Sequence, residues 1–202
     1  MVDFSKIGKS NRSRGASYER KVARMATALI KKEFKRSPQS GALIREGSLD
    51  GAFLSGDLVC SEYFDYSIEC KNCSDIRLES LIKSASTSPL TKYWCQCIYD
   101  STIASKKPLL IFNLKSVRED FAVITEEESK NYKSVNKMLV SGIGDVIIDI
   151  DNKKVNMLNV PNMAIYLAKD LLREIGEQKW GVVEEGKTIT TTGAATMVES
   201  KS

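Results

Sequence analysis

Gly56-Asp57-Leu58-Val59-Cys60 and Tyr66-Ser67-Ile68-Glu69-Cys70-Lys71 are the two runs from which the architecture of this chain can be worked out. Both are short, apolar and rich in β-branched or aromatic residues. Ser61 to Asp65 between them is polar enough to turn, so the pattern predicts a β-hairpin. Alternation along a strand puts Ser67, Glu69 and Lys71 on one face and Tyr66, Ile68 and Cys70 on the other. With the turn centred on Tyr63, Asp57 falls opposite Glu69, their Cβ atoms about 4.5–5.5 Å apart. Two carboxylates at that separation repel unless a cation sits between them. A hard divalent ion with oxygen ligands, Mg²⁺ or Mn²⁺, suits the gap, and phosphate oxygens would complete its shell. Lys71 beside it can polarise a phosphate or orient an attacking water. The competing explanation is a turn aspartate next to a solvated Glu/Lys stripe. The spacing alone favours that plainer account; the rest of the chain shifts the balance.

The chain has 202 residues, enough for one domain of ordinary size plus an appendage, and its 42% hydrophobic content can supply a core. No run of eighteen apolar residues exists to span a bilayer, and the N-terminus is basic and polar rather than signal-like. The expectation is an intracellular, cytoplasmic protein without membrane partners. Histidine is absent, which removes His-based triads, His-metal nuclease motifs and Cys₂His₂ zinc sites. Acid–base work then falls to carboxylates, lysine, tyrosine, cysteine or an ion. The five cysteines, Cys60, Cys70, Cys73, Cys95 and Cys97, are odd in number and read as reduced thiols. Pooling Cys70, Cys73, Cys95 and Cys97 on zinc or an iron–sulfur cluster is disfavoured by their opposed directions; packed small hydrophobes account for them better.

Charge is unevenly spread. Residues 1–36 hold eleven Lys or Arg against Asp3, Glu19 and Glu33, a net of +8, and the other 166 residues carry −4, giving the total of +4. Such asymmetry points to a polyanion meeting the N-terminal third, with residues 1–12 as a flexible basic arm. A solvated helix face with a loose leader is the simpler competitor. From Ala16 to Lys32 the spacing predicts a helix with Tyr18, Val22, Met25, Ala26 and Leu29 as its apolar stripe. Glu19 projects at the edge of that buried stripe, where a carboxylate is costly unless a cation receives it. A first-turn acid complementing the helix dipole is the alternative.

Phe34 to Ala42 reads as a strand running into a Pro/Gly/Ser loop able to present hydroxyls and backbone N–H groups to phosphate. After the hairpin come a helix from near Asp75, the polar linker Ser86–Leu90, a helix from Thr91 to Ser105, and strands at Pro108–Leu114 and Phe121–Thr125. The predicted order is α-β-β-β-α-α-β-β.

Arg14-Gly15-x-x-x-Glu19-Arg20, Arg36-Ser37-x-x-Ser40-Gly41, Gly56-Asp57, Ile68-Glu69-Cys70-Lys71 and Trp94-x-Gln96 ahead of Lys107-Pro108-Leu109-Leu110-Ile111-Phe112 follow one another in register. In that order they resemble the PD-(D/E)xK nuclease superfamily, and within it the archaeal and phage Holliday-junction resolvases, over residues 12–125. Gly56 departs from the pattern, standing where the nominal proline would be. The resemblance implies an α/β, restriction-endonuclease-like fold: a mixed central sheet flanked by helices, with a C-terminal α+β extension that compact resolvases lack. It implies Asp57, Glu69 and Glu19 as ligands of Mg²⁺ (or Mn²⁺), the Cys70 backbone carbonyl as a further ligand, and Lys71 assisting the water. It brings Arg14, Arg20, Arg36, Ser40 and Gln96 toward DNA. The implied partners are four-way or other branched DNA and a second copy, as a homodimer.

Residues 13–125 are therefore expected to form the nuclease core and 126–186 an extension of helix, hairpin and helix. In it Thr125-x-x-Glu128 opens a capped helix, Val146–Ile150 and Val155–Val160 flank a turn, and Pro161–Glu174 is a helix stopped by Gly176. Residues 187–202 show no core pattern and are expected to be a disordered tail. The function expected is metal-dependent endonuclease action on branched DNA. The alternatives are a duplex- or mismatch-cutting nuclease of the same superfamily, or a non-catalytic DNA-binding module.

Overall fold

The structure is a computed structural model that describes residues 4–38, 56–72, 76–77, 79–114, 117–133, 136–150 and 153–181. Helix α1 (Phe4–Ile30) leads into β1 (Phe34–Arg36), β2 (Leu58–Cys60) and β3 (Tyr66–Lys71). Helices α2 (Glu79–Ser84) and α3 (Pro89–Ile103) follow, then β4 (Lys107–Leu114) and β5 (Glu119–Thr125). The predicted order holds through this point. Beyond it lie β6 (Lys137–Val140), β7 (Val146–Ile150), β8 (Lys153–Met157), β9 (Met163–Leu167) and α4 (Ala168–Trp180).

The central sheet is mixed, in the order β3-β4-β5-β9-β6. The α2–α3 connection returns β4 parallel to β3, whereas β5 hairpins back against β4. Leu109, Leu110, Ile111 and Phe112 of β4 are all fully buried, which a strand covered on both faces requires. Leu109 and Ile111 pack with Tyr18, Val22, Ala26 and Ile30 of α1 and Leu171 of α4. Leu110 and Phe112 point the other way, against Leu90 and Trp94 of α3 and Val146 and Ile148 of β7. The two layers of helix and hairpin thus enclose a restriction-endonuclease-like sheet.

Several expectations need correction. The first helix starts at Phe4, so most of the leader read as a flexible arm lies on α1. The hairpin of β2 with β3 does not form: β2 pairs antiparallel with β1, β3 pairs with β4, and one isolated parallel bridge, Gly56 to Ile68, joins the two runs. Asp57 therefore does not face Glu69 across a ladder. Thr125 does cap, its Oγ1 accepting the Glu128 N–H at 3.1 Å, yet only a single 3₁₀ turn, Glu128–Asn131, follows. The helix expected from Pro161 begins as strand β9, which inserts between β5 and β6, and becomes helical only at Ala168. Gly176 lies inside α4 rather than ending it. A Cβ there would come within 2.9 Å of the Ile30 Cα, so its missing side chain lets α4 cross α1 closely. The stop is Gly181, in the left-handed conformation. The β7–β8 hairpin forms, although its second strand is Lys153–Met157 rather than the expected Val155–Val160, and residues 187–202 lie outside the described residues.

Among the described residues, no helix is long and apolar enough to cross a membrane.

Candidate active site

Three segments meet at the end of β3. Strand β3 alternates as its sequence requires: Ile68 is fully buried and Cys70 nearly so, while Glu69 and Lys71 emerge at the sheet edge with side chains 12% and 21% exposed. The Lys71 Nζ lies 2.7 Å from Glu69 Oε1 and donates to Gln96 Oε1 at 3.3 Å. It also stands 5.4 Å over the ring of Tyr93, one turn before Gln96 on α3. The ammonium is thereby aimed by two elements of different origin.

Asp57 arrives by a route the sequence does not display. Gly56 adopts φ +81°, its backbone pressed against β3, and the Asp57 N–H donates to the Ile68 carbonyl at 2.7 Å. The Asp57 carboxylate then accepts the Cys70 N–H at 2.8 Å, which places it beside Glu69 without a ladder. A Cβ on Gly56 would lie 2.5 Å from the Ile68 carbonyl oxygen and 2.9 Å from both the Ile68 nitrogen and Ser67 Oγ. A proline, locked near φ −65°, cannot take this conformation either. The departure from the superfamily's proline is thus a local necessity. Gly56→Ala is expected to destabilise the protein by about 2 kcal/mol or more, combining backbone strain with a steric clash, and to cut activity by displacing Asp57. Urea unfolding alongside a cleavage assay checks this; an unchanged midpoint would refute the close approach.

Asp57 is only 8% exposed. Burial pushes its carboxyl up to about 8, with the charges of Glu69 and Glu19 adding to the rise and the Cys70 N–H and Lys71 opposing it. The neighbouring Cys70 thiol is also pushed up, by burial first and then by Asp57, Glu69 and Glu19. The three carboxylates thus share one electrostatic neighbourhood. They do not close into a cage: no three acidic or thiol groups among the described residues are gathered tightly enough to hold an ion by themselves. Two internal cations pair with two of them instead. Lys71 takes Glu69, and Arg36 Nε donates to Glu19 Oε2 in a short ion pair.

A family model described as "Phage putative PDDEXK endonuclease" matches residues 10–175. The chain belongs to this family. No curated protein and no solved structure matches it. The match runs past residue 125 through β6 to β9 and into α4, so the family's pattern includes the strands that complete the sheet.

Nucleases of this superfamily usually use divalent metals. The donor set fits one: oxygen ligands only, including a carboxyl that burial first, and the charges of Glu69 and Glu19 next, hold well above the usual carboxylate range where no cation offsets them. Asp57, Glu69 and the Cys70 carbonyl are the groups that would hold it, and Glu19 is close enough for its charge to raise the Asp57 carboxyl. Of the remaining expected residues, Gln96 is brought to Lys71 and Arg36 to Glu19. Arg14 and Arg20 lie exposed on α1, and Ser40 lies outside the described residues. Tyr93 is not among the expected site residues; spacing along α3 gives no hint that its ring lies beneath the Lys71 ammonium.

The cysteines behave as packed hydrophobes. Cys70, Cys95 and Cys97 are buried and unpaired as thiols, Cys60 is partly buried and also free, and Cys73 lies outside the described residues. Burial pushes the Cys95 thiol up to about 11, leaving it protonated and a poor ligand.

Proposed function

We propose that this endonuclease hydrolyses phosphodiester bonds in branched DNA, four-way junctions above all, using Mg²⁺ (or Mn²⁺). It acts inside the cell as a homodimer that sets two sites on matched strands. The observation that carries the reading is the buried Asp57 carboxyl, held beside Glu69 and Glu19 with the Lys71 ammonium at its edge. That arrangement is poor for stability in isolation and suited to a cation and a phosphate.

A divalent ion bound there would neutralise charge developing on the phosphate and acidify the attacking water. Asp57, Glu69 and the Cys70 carbonyl are its proposed ligands. Lys71, held by Glu69 and Gln96 and backed by Tyr93, presents its ammonium to the scissile phosphate and orients the water for in-line attack on phosphorus. Arg36 reaches a phosphate oxygen by leaving Glu19, which frees that carboxylate for a second ion or a water. Arg14 and Ser40 contact the flanking backbone, Arg20 contacts DNA from the outward face of α1, and Gln96 positions Lys71 beside the strand being cut.

The test is incubation of the purified protein with a four-way junction, a linear duplex and single strands, in Mg²⁺ and in EDTA. Symmetric nicks confined to the junction and to Mg²⁺ are the expected result. Equal cutting of the linear duplex would make the protein a duplex nuclease of the same family. Binding without cutting under any divalent ion would reduce it to a DNA-binding module.

A further inference from the structure

The outward face of α1 carries Ser13, Arg14, Ser17, Arg20, Lys21, Arg24 and Ala28, all exposed, and the exposed Lys31 follows just past the helix end. Glu19 is the helix's one acidic residue, and it faces inward to Arg36. Local pairing accounts for several of the nearby cations: Lys21 with Asp120, Lys32 with Glu62, Lys35 with Glu33. Among the described residues Arg20, Arg24 and Lys31 take no carboxylate. They run along about 16 Å of helix axis. A duplex presents roughly ten phosphate charges over that length.

The direction of this ridge matters more than its charge. At 3.6 residues per turn, Arg20 and Arg24 project about 100° and 140° around the helix from Glu19. Tyr18, Val22, Ala26 and Ile30 face the sheet on the Glu19 side, so the ridge looks away from the core and from the catalytic carboxylates. A duplex seated against Glu19 and Asp57 therefore meets a different flank of α1 from the one that carries Arg24.

We infer that the Arg20–Arg24–Lys31 ridge binds the phosphate backbone of a second DNA segment, distinct from the one at the cutting site. A branched molecule supplies both segments in one ligand, and joining them raises the effective concentration of the second contact. This rests on the branched-DNA reading above but not on cleavage. It is therefore tested by binding in EDTA, where a failure to cut has no bearing.

The probes are a four-way junction and a linear duplex equal in length to two of its arms, titrated against wild type and Arg24→Gln/Lys31→Gln. Wild type is expected to bind the junction more tightly. Each lost phosphate contact lowers the salt slope by about 0.9, so the double variant loses about 1.8 on the junction, roughly thirty-fold in affinity at 0.15 M salt. The ratio of junction to duplex affinity falls with it. An unchanged ratio, whether both affinities drop or neither does, would overturn the inference, as would a wild-type ratio near one. Both substitutions are on the exposed surface, and a melting temperature matching wild type verifies that the variant is folded.

Discussion

Lys71→Ala is expected to slow phosphodiester hydrolysis by a factor on the order of 10²–10³ while leaving DNA affinity in EDTA nearly unchanged. The asymmetry follows from what the ammonium touches. Its contacts include Glu69, Gln96 and the Tyr93 ring, which hold the ammonium within the site, over one phosphate rather than along the backbone. One phosphate contact among several contributes little to ground-state binding but acts where charge develops during reaction. A second consequence separates a catalytic Lys71 from a structural one. Removing the ammonium leaves Glu69 without its 2.7 Å partner, so the carboxylates attract a divalent ion more strongly. Calorimetric titration of the variant with Mn²⁺ should show tighter binding together with slower cutting. Loss of DNA affinity in step with loss of cleavage would place Lys71 in DNA binding, and undiminished cutting would remove it from the mechanism.

The parts of this site that were legible in the sequence are those whose logic is local. Strand alternation put Glu69 and Lys71 on one face, and Glu19 betrayed itself as a charge at the margin of an apolar stripe. What could not be read was how separate segments meet. Asp57 reaches Cys70 through a left-handed glycine and a single bridge, and a hairpin register was the natural but incorrect inference from two strand-like runs with a polar turn. Tyr93 depends on how α3 rotates against β3, which residue spacing on α3 does not state. Arg36 was expected beside phosphate, and its ion pair with Glu19 requires β1 and α1 to be docked. The same limit explains β9. Met163 to Leu167 is a short apolar run bordering a true helix, and periodicity cannot separate a doubly buried strand from a helix's first turns. Strand β4 was read as Pro108–Leu114, within one residue of the observed Lys107–Leu114.

Asp57 should make the ion-free protein lose stability as pH rises. Unfolded, the carboxyl ionises near 3.8; folded, burial and the charges of Glu69 and Glu19 hold it protonated up to about 8. Between those values the folded state carries one more proton at this site than the unfolded state, so the carboxyl's penalty on stability is absent below about pH 4, grows through the interval and levels off above about pH 8. The slope is at most about 1.4 kcal/mol per pH unit. A divalent ion reverses the penalty by binding the ionised carboxylate, and must displace the proton to do so. Thermal melts from pH 5 to 9 should therefore show the fall without ion and a much smaller one with saturating Mn²⁺. Titrations at pH 6.5 in buffers of different ionisation enthalpy should register one proton released as ion binds, with little release above pH 8.5. Asp57→Asn keeps an acceptor for the Cys70 N–H but cannot ionise. That variant should melt higher than wild type at pH 8.5 without ion, gain little from Mn²⁺, and cut DNA slower by orders of magnitude. The opposed signs, more stable and less active, distinguish a functional carboxylate from a structural one. A flat wild-type pH profile, or proton release that survives Asp57→Asn, would mean that this carboxyl is not where the cation binds.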